Sequence, residues 1–200
     1  MKNFINAEIR TKDDSSENRT VQFIISTNDR DRHNTVLNME NWDLTNYNLN
    51  GIVGYNHEVY SSTNPDLIIG KGRAWVEGEG DDKKLIGEVE FETEEINPLA
   101  EKLYKKVKNG TLSSTSVGFV PIEINGKIGE QRNGTFFYYG QELLEFSIVN
   151  IPSNPNAVKR SAEELEKFLN PEEEGKENEE DFGKRNVFEK LLLLKNKKIK

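Results

Sequence analysis

A serine hydroxyl is a poor nucleophile at neutral pH unless a base can take its proton. The base is commonly a histidine, often oriented by a third group. The stretch TLSSTSVGFV, residues 111–120, holds three serines and two threonines beside an apolar run. Side chains alternate along an extended chain. Thr115, Val117 and Phe119 then share one face, the one to bury. Ser114, Ser116 and Gly118 share the other, which is small and polar and open to close approach by a ligand backbone. An ordinary half-solvated strand with locally bonded hydroxyls would carry the same residues. LEFSIV, residues 144–149, divides in a similar way. Leu144, Phe146 and Ile148 alternate as a core face, and Glu145 and Ser147 point the other way. Two strands late in one small sheet could aim Ser116 and Glu145 into one cleft. The chain has two histidines. His33 sits in NDRDRHNT, a polar loop facing solvent. His57 sits in GIVGYNHEVY, after an apolar segment and at the end of a predicted strand. If a serine does chemistry here, His57 is the better-placed base. A metal hydrolase built on His57 and Glu58 is the alternative, and it lacks a second histidine at ligand spacing.

The elements that must hold these residues are mostly strands. Val21–Ser26 (VQFIIS) is a buried strand by its apolar run. LIIGKGRAWV (67–76) and LIGEVEFE (85–92) predict a hairpin turned at GEGDDK. A helix follows. Asn97 can cap it, Pro98 suits its first position, and Leu99, Leu103 and Val107 form its apolar stripe. Asn109-Gly110 stops it. Asn125-Gly126 and Asn133-Gly134 are hairpin signals that join Val117–Ile124 to TFFYY and then to LLEFSIVNI. The fold class expected is α+β: a mainly antiparallel, closed or nearly closed β-barrel with flanking helices, plus a charged C-terminal tail.

Composition shifts near Lys159, so the chain reads as a barrel domain over residues 1–160 and a tail over 161–200. The tail opens with a helix signature, since Ser161 and Glu164 have capping-box spacing. Asn170-Pro171 ends that helix. PEEEGKENEED then has too little to bury to offset chain entropy, and is expected to be disordered. The end, VFEKLLLLKNKKIK, is basic and apolar. It is either a helix packed on the domain or a docking peptide. The formal net charge of −8 argues against nucleic acid as the main partner. There are no cysteines, which removes disulfides, thiolate metal sites and cysteine nucleophiles. Neither a signal-peptide core nor a run of membrane-spanning length is present, so a cytoplasmic setting without a membrane is expected.

Several of these pieces stand in the order of a known family. NDRDRHNTVLNMENWDL is similar to an early D-R segment followed by a stretch with tryptophan. VGYNHE resembles the apolar-N-H-[DE] segment that carries a catalytic histidine. LYKKVKNGTLSSTSVGF resembles a helix, a G-x-[LV] turn and the S-[VIF]-G-[FY] segment of a nucleophile. LLEFSIVNIPSNPNA resembles the closing L-x-E-[VF]-S-[LI]-V-x-x-P-x-[NS]-P-x-A. Over residues 9–158 the sequence resembles the prohead (capsid maturation) serine proteases of tailed phages, which are related in fold to the herpesvirus assemblins.

The resemblance implies a serine endopeptidase with Ser116 as nucleophile, His57 as base and Glu145 as third member, where assemblins place a second histidine. Glu142 and Ser147 lie close enough to compete for that third place. Ser113 and Ser114 become neighbours on the nucleophile's strand, and Gly118 shapes the cleft. The resemblance also implies substrates inside the immature shell: scaffold, a scaffold-like extension of the capsid protein, and the protease itself. The setting would be the host cytoplasm, within the procapsid, with no cofactor and no metal, and with room for a homodimer. A bifunctional protease-scaffold, or an inactive capsid scaffold of the same fold, are the other readings.

Overall fold

The computed structural model describes residues 19–60, 63–161 and 164. Ten strands appear there in chain order: β1 (Thr20–Thr27), β2 (Thr35–Leu37), β3 (Trp42–Asp43), β4 (Ile52–Tyr55), β5 (Ile68–Glu77), β6 (Lys84–Phe91), β7 (Ser114–Pro121), β8 (Gly129–Arg132), β9 (Thr135–Tyr138) and β10 (Gln141–Val149). Helix α1 (Thr45–Leu49) lies between β3 and β4, and α2 (Pro98–Lys108) between β6 and β7. Seven strands form one sheet along the path β1-β6-β5-β4-β10-β3, with β7 also paired to β10. A second sheet has the order β2-β9-β8.

Where local chemistry is strong, the elements form as the residues dictate. The β5–β6 hairpin is antiparallel from Gly70↔Phe91 to Glu77↔Lys84. The Asn97 side chain accepts from the Leu99 and Ala100 amides at 3.0 and 3.1 Å, which caps α2 ahead of Pro98. Gly110 follows with φ +81°, which ends the helix. Leu103 and Val107 are buried, and Leu99 packs against the core at its margin. Each fully buried aliphatic side chain of this kind contributes about 1.5–3 kcal/mol. Tyr104 packs its ring 5.4 Å from that of Phe91 on β6.

Three expectations need correction. First, the protein is α+β and strand-rich, but the strands do not close into a barrel. The sheet path ends at β1. The short segment Ala157–Arg160 lies between β1 and β7 instead. Ile24 N–H donates to Val158 O at 2.9 Å and Arg160 N–H to Gln22 O at 3.1 Å. On the other side Thr115 N–H donates to Ala157 O at 3.0 Å and Lys159 N–H to Ser113 O at 2.7 Å.

Second, TFFYY does not stand between the two strands of the site. It forms β9, paired in parallel with β2 and turned at Asn133-Gly134 from β8. β10 pairs antiparallel with β7 directly, and in parallel with β3 and β4.

Third, Leu144 is not a core residue. The β7–β10 register shifts between Leu143 and Glu145, as at a β-bulge. Leu143 takes the core place at 1% exposure, and Leu144 is left 39% exposed. Phe146 and Ile148 are buried as expected.

The chain divides into two units at Arg160/Ser161. At the start of the second, Ser161 N–H donates to Glu164 Oε2 at 2.9 Å and Glu164 N–H to Ser161 Oγ at 3.1 Å, a reciprocal capping box. The expectations for PEEEGKENEED and for residues 182–200 lie outside the described residues. Among those described, no helix is long and apolar enough to cross a membrane.

Candidate active site

Antiparallel pairing of β7 with β10 sets Ser116 opposite Ser147 and Gly118 opposite Glu145. Directly opposed residues share a face, with Cα atoms about 4.5–5.5 Å apart. Ser116, Gly118, Glu145 and Ser147 therefore line one side of the strand pair. β4 lies along the other edge of β10, with Gly54 beside Ser147. The chain leaves β4 at Tyr55 and turns through Asn56 and His57, which have φ of +50° and +60°. That turn swings the His57 ring back over β10.

His57 Nδ1 lies 2.6 Å from Glu145 Oε1. An ionised carboxylate only accepts, so Nδ1 carries the proton and Nε2 is left as the basic nitrogen. Glu145 is 1% exposed. A charge so deeply buried needs partners at both oxygens. The second oxygen, Oε2, accepts from Ser147 Oγ at 2.7 Å, and Ser147 Oγ in turn accepts from His57 N–H at 3.2 Å.

Two phenols stand near the same carboxylate. The Tyr60 hydroxyl is pushed up to about 12, by burial first and the charge of Glu145 second. Tyr47 is raised for the same two reasons in the same order. Both stay neutral beside Glu145. Gly118 is where all this converges. A Cβ there would sit 2.3 Å from Glu145 Oε1 and 2.3 Å from the Tyr60 hydroxyl.

Ser116 and His57 line the same cavity, of about 390 Å³. Its apolar wall is Ile25, Leu37, Val117, Phe119 and Tyr138. Its polar rim is Asp29, Asp31, His33, Ser153 and Asn154, with Ser26, Thr27 and Thr35 between. A space of this size can seat one large side chain with part of a backbone.

Ser113 and Ser114 pair with segment 157–160 and are not among the residues lining the cavity. Glu142 points elsewhere and accepts from Asn46 Nδ2 at 2.7 Å. His33 is exposed, as its loop suggests, yet it reaches the cavity rim, with Nε2 3.1 Å from Ser153 Oγ. Glu145 is not a solvated strand acid but a buried one. Among the described residues no three of His, Cys, Asp and Glu are grouped to hold a metal ion.

Sequence reasoning missed Tyr60 and Gly54. Tyr60 had only one signal, its position three residues after His57. A Cβ at Gly54 would meet Ser147 Oγ at 2.6 Å, a requirement visible only once β4 and β10 are paired.

The family model described as caudovirus prohead serine protease matches residues 58–171, more than half of the chain. Ser116 and Glu145 lie inside the match, which begins one residue after His57. No curated protein matches the chain, and no solved structure does.

Proposed function

This chain belongs to the caudovirus prohead serine proteases, and from that premise we propose that it is a peptide-bond hydrolase of capsid maturation in which Ser116, His57 and Glu145 form the catalytic triad. The observation that carries the assignment is the 2.6 Å pair between His57 Nδ1 and buried Glu145 Oε1, in the cavity that Ser116 also lines. His57 Nε2 takes the proton of Ser116 Oγ as that oxygen attacks the scissile carbonyl. The same proton passes to the leaving amine as the C–N bond breaks, leaving an acyl-enzyme. Water, deprotonated by His57, then releases the acid. Glu145 keeps the imidazole in the Nδ1–H form and stabilises its charged state, as the carboxylate does in other Ser-His-acid sites.

The substrates proposed are scaffold, or a scaffold-like extension of the capsid protein, and the chain itself, cleaved inside the procapsid in the host cell. They follow from the family's role in prohead maturation. The assemblin-like relation is proposed at the level of the β7–β10 pair and the β4 turn, not of a closed barrel.

The test is incubation with a fluorophosphonate probe, followed by peptide mapping. Label is expected on Ser116 alone, absent in Ser116→Ala. His57→Ala is expected to slow labelling by at least about a hundredfold, and His33→Ala to change it little. Undiminished labelling of Ser116→Ala overturns the nucleophile. Loss in His33→Ala but not His57→Ala overturns the base.

A further inference from the structure

We propose that Ser147 is a positioning residue of this site, a serine whose one hydroxyl ties the main chain of His57 to the carboxylate that holds the His57 ring. The inference rests on the triad assigned above and adds a fourth member to it. Ser147 is fully buried, at 0% exposure, so its hydroxyl has no solvent partner. It donates to Glu145 Oε2 at 2.7 Å and accepts from His57 N–H at 3.2 Å. With the His57 Nδ1–Glu145 Oε1 contact of 2.6 Å, these bonds run from the His57 backbone through Ser147 and Glu145 back to the His57 ring. Ring and backbone are thus fixed from one point.

Two features make that fixation necessary. The first is the backbone of the turn. Positive φ is uncommon for residues other than glycine, and such conformations persist where surrounding contacts over-determine them. Asn56 is held by its amide to Ile148 O at 2.9 Å and by its side chain, which accepts from Asn150 N–H at 3.1 Å. At His57 the amide donates to Ser147 Oγ at 3.2 Å, the ring is held by Glu145, and the carbonyl accepts from Tyr60 N–H at the long distance of 3.5 Å. The second is the carboxylate. With Oε1 given to the imidazole, Oε2 needs a donor of its own, and Ser147 is the one 2.7 Å away. The space for the hydroxyl is kept by Gly54, where a Cβ would stand 2.6 Å from Ser147 Oγ and 3.6 Å from Glu145 Oε2.

The same geometry separates the two serines that face each other across the strand pair. The Ser147 proton is committed to Glu145, and its oxygen to the His57 amide. Ser116 lines the cavity. One serine is built to react and the other to hold.

The experiment uses the full chain and a fluorophosphonate probe, read at saturating probe and by the His57 Nδ1 proton resonance. In Ser147→Ala the maximal rate of Ser116 labelling is expected to fall about ten- to a hundredfold, the range implied by leaving a buried acceptor unpaired. The probe concentration for half-maximal rate should stay as in the wild type. The Nδ1 proton should move upfield or be lost to exchange. If Ser147→Ala does not fold, Ser147→Cys keeps the size with a weaker donor, and its maximal rate is also expected to fall. A folded variant that labels at the wild-type rate with an unmoved Nδ1 proton overturns the role of Ser147 alone. A purely structural serine would give that result with a lowered melting temperature. A wild-type chain that is not labelled at Ser116 overturns the triad and this inference together.

Discussion

Gly118 is a residue at which the site has no room for a side chain. Its missing side chain lets Glu145 and Tyr60 meet over β7. A methyl group there would lie 2.3 Å from both a carboxylate oxygen and a phenol oxygen. Gly118→Ala should therefore displace Glu145 from His57 and reduce fluorophosphonate labelling of Ser116 by about two orders of magnitude, since the base loses its orientation. The fold should survive, with a cost of about 1–3 kcal/mol for overpacking in a denaturant melt. Normal labelling in a folded Gly118→Ala would show that the Glu145 contact does not matter to the serine. Ser116, His57 and Glu145 stand out in the sequence as candidates because each sits in a short string with its own local pattern. Ser147 was visible as a residue on the face of Glu145 and a rival for its place, but not as a partner of His57. Its bond to the His57 amide spans 90 positions, and no window of sequence contains both ends.

Among the elements, the segment Ala157–Arg160 ties the strand of Ser116 to β1, although no strand signal marks it. Its backbone bonds Ser113 and Thr115 on one side and Gln22 and Ile24 on the other. Arg160 anchors its end, 6% exposed, with two bonds to the Glu77 carboxylate at 3.0 and 3.1 Å. Arg160→Ala should cost about 2 kcal/mol, the scale of charge-assisted bonds beside a carboxylate that keeps partial access to water. Arg160→Lys should recover only part, because a single ammonium cannot match the planar fork. Urea midpoints of the three proteins check this, and equal midpoints would remove the anchoring role. Elements with their own stop and start chemistry were readable beforehand: α2 from Asn97-Pro98, and the β5–β6 hairpin from its two apolar runs. β2, β3 and β8 were not, because strands of three, two and four residues are too short to show alternation. The parallel pairings of β10 with β3 and β4 have no local signature at all. The bulge at Leu144 hid the true core residue, since one extra residue exchanges the faces of everything before it.

At the scale of the whole molecule, the described site is assembled from residues 25 to 154, all within the first unit, which ends at Arg160. A chain ended just after Arg160 should keep labelling of Ser116 at the full-length rate. If the basic, apolar end of the tail is a docking peptide, that shortened chain should also enter procapsids poorly. Packaging and labelling measured side by side separate the two roles. A sharp fall in melting temperature with packaging per folded molecule unchanged would instead assign the tail to stability. The position of residues 157–160 between β1 and β7 has a consequence for timing as well. A ribosome makes the chain from its N-terminus at about 5–20 residues per second. Ser116 is translated before Glu145 and Ser147, and before the segment that pins its own strand. Roughly 2–9 s separate residue 116 from residue 160 at that pace. During that interval a nascent chain carries Ser116 without the rest of the proposed site, whose framework lacks its last stitch between β1 and β7.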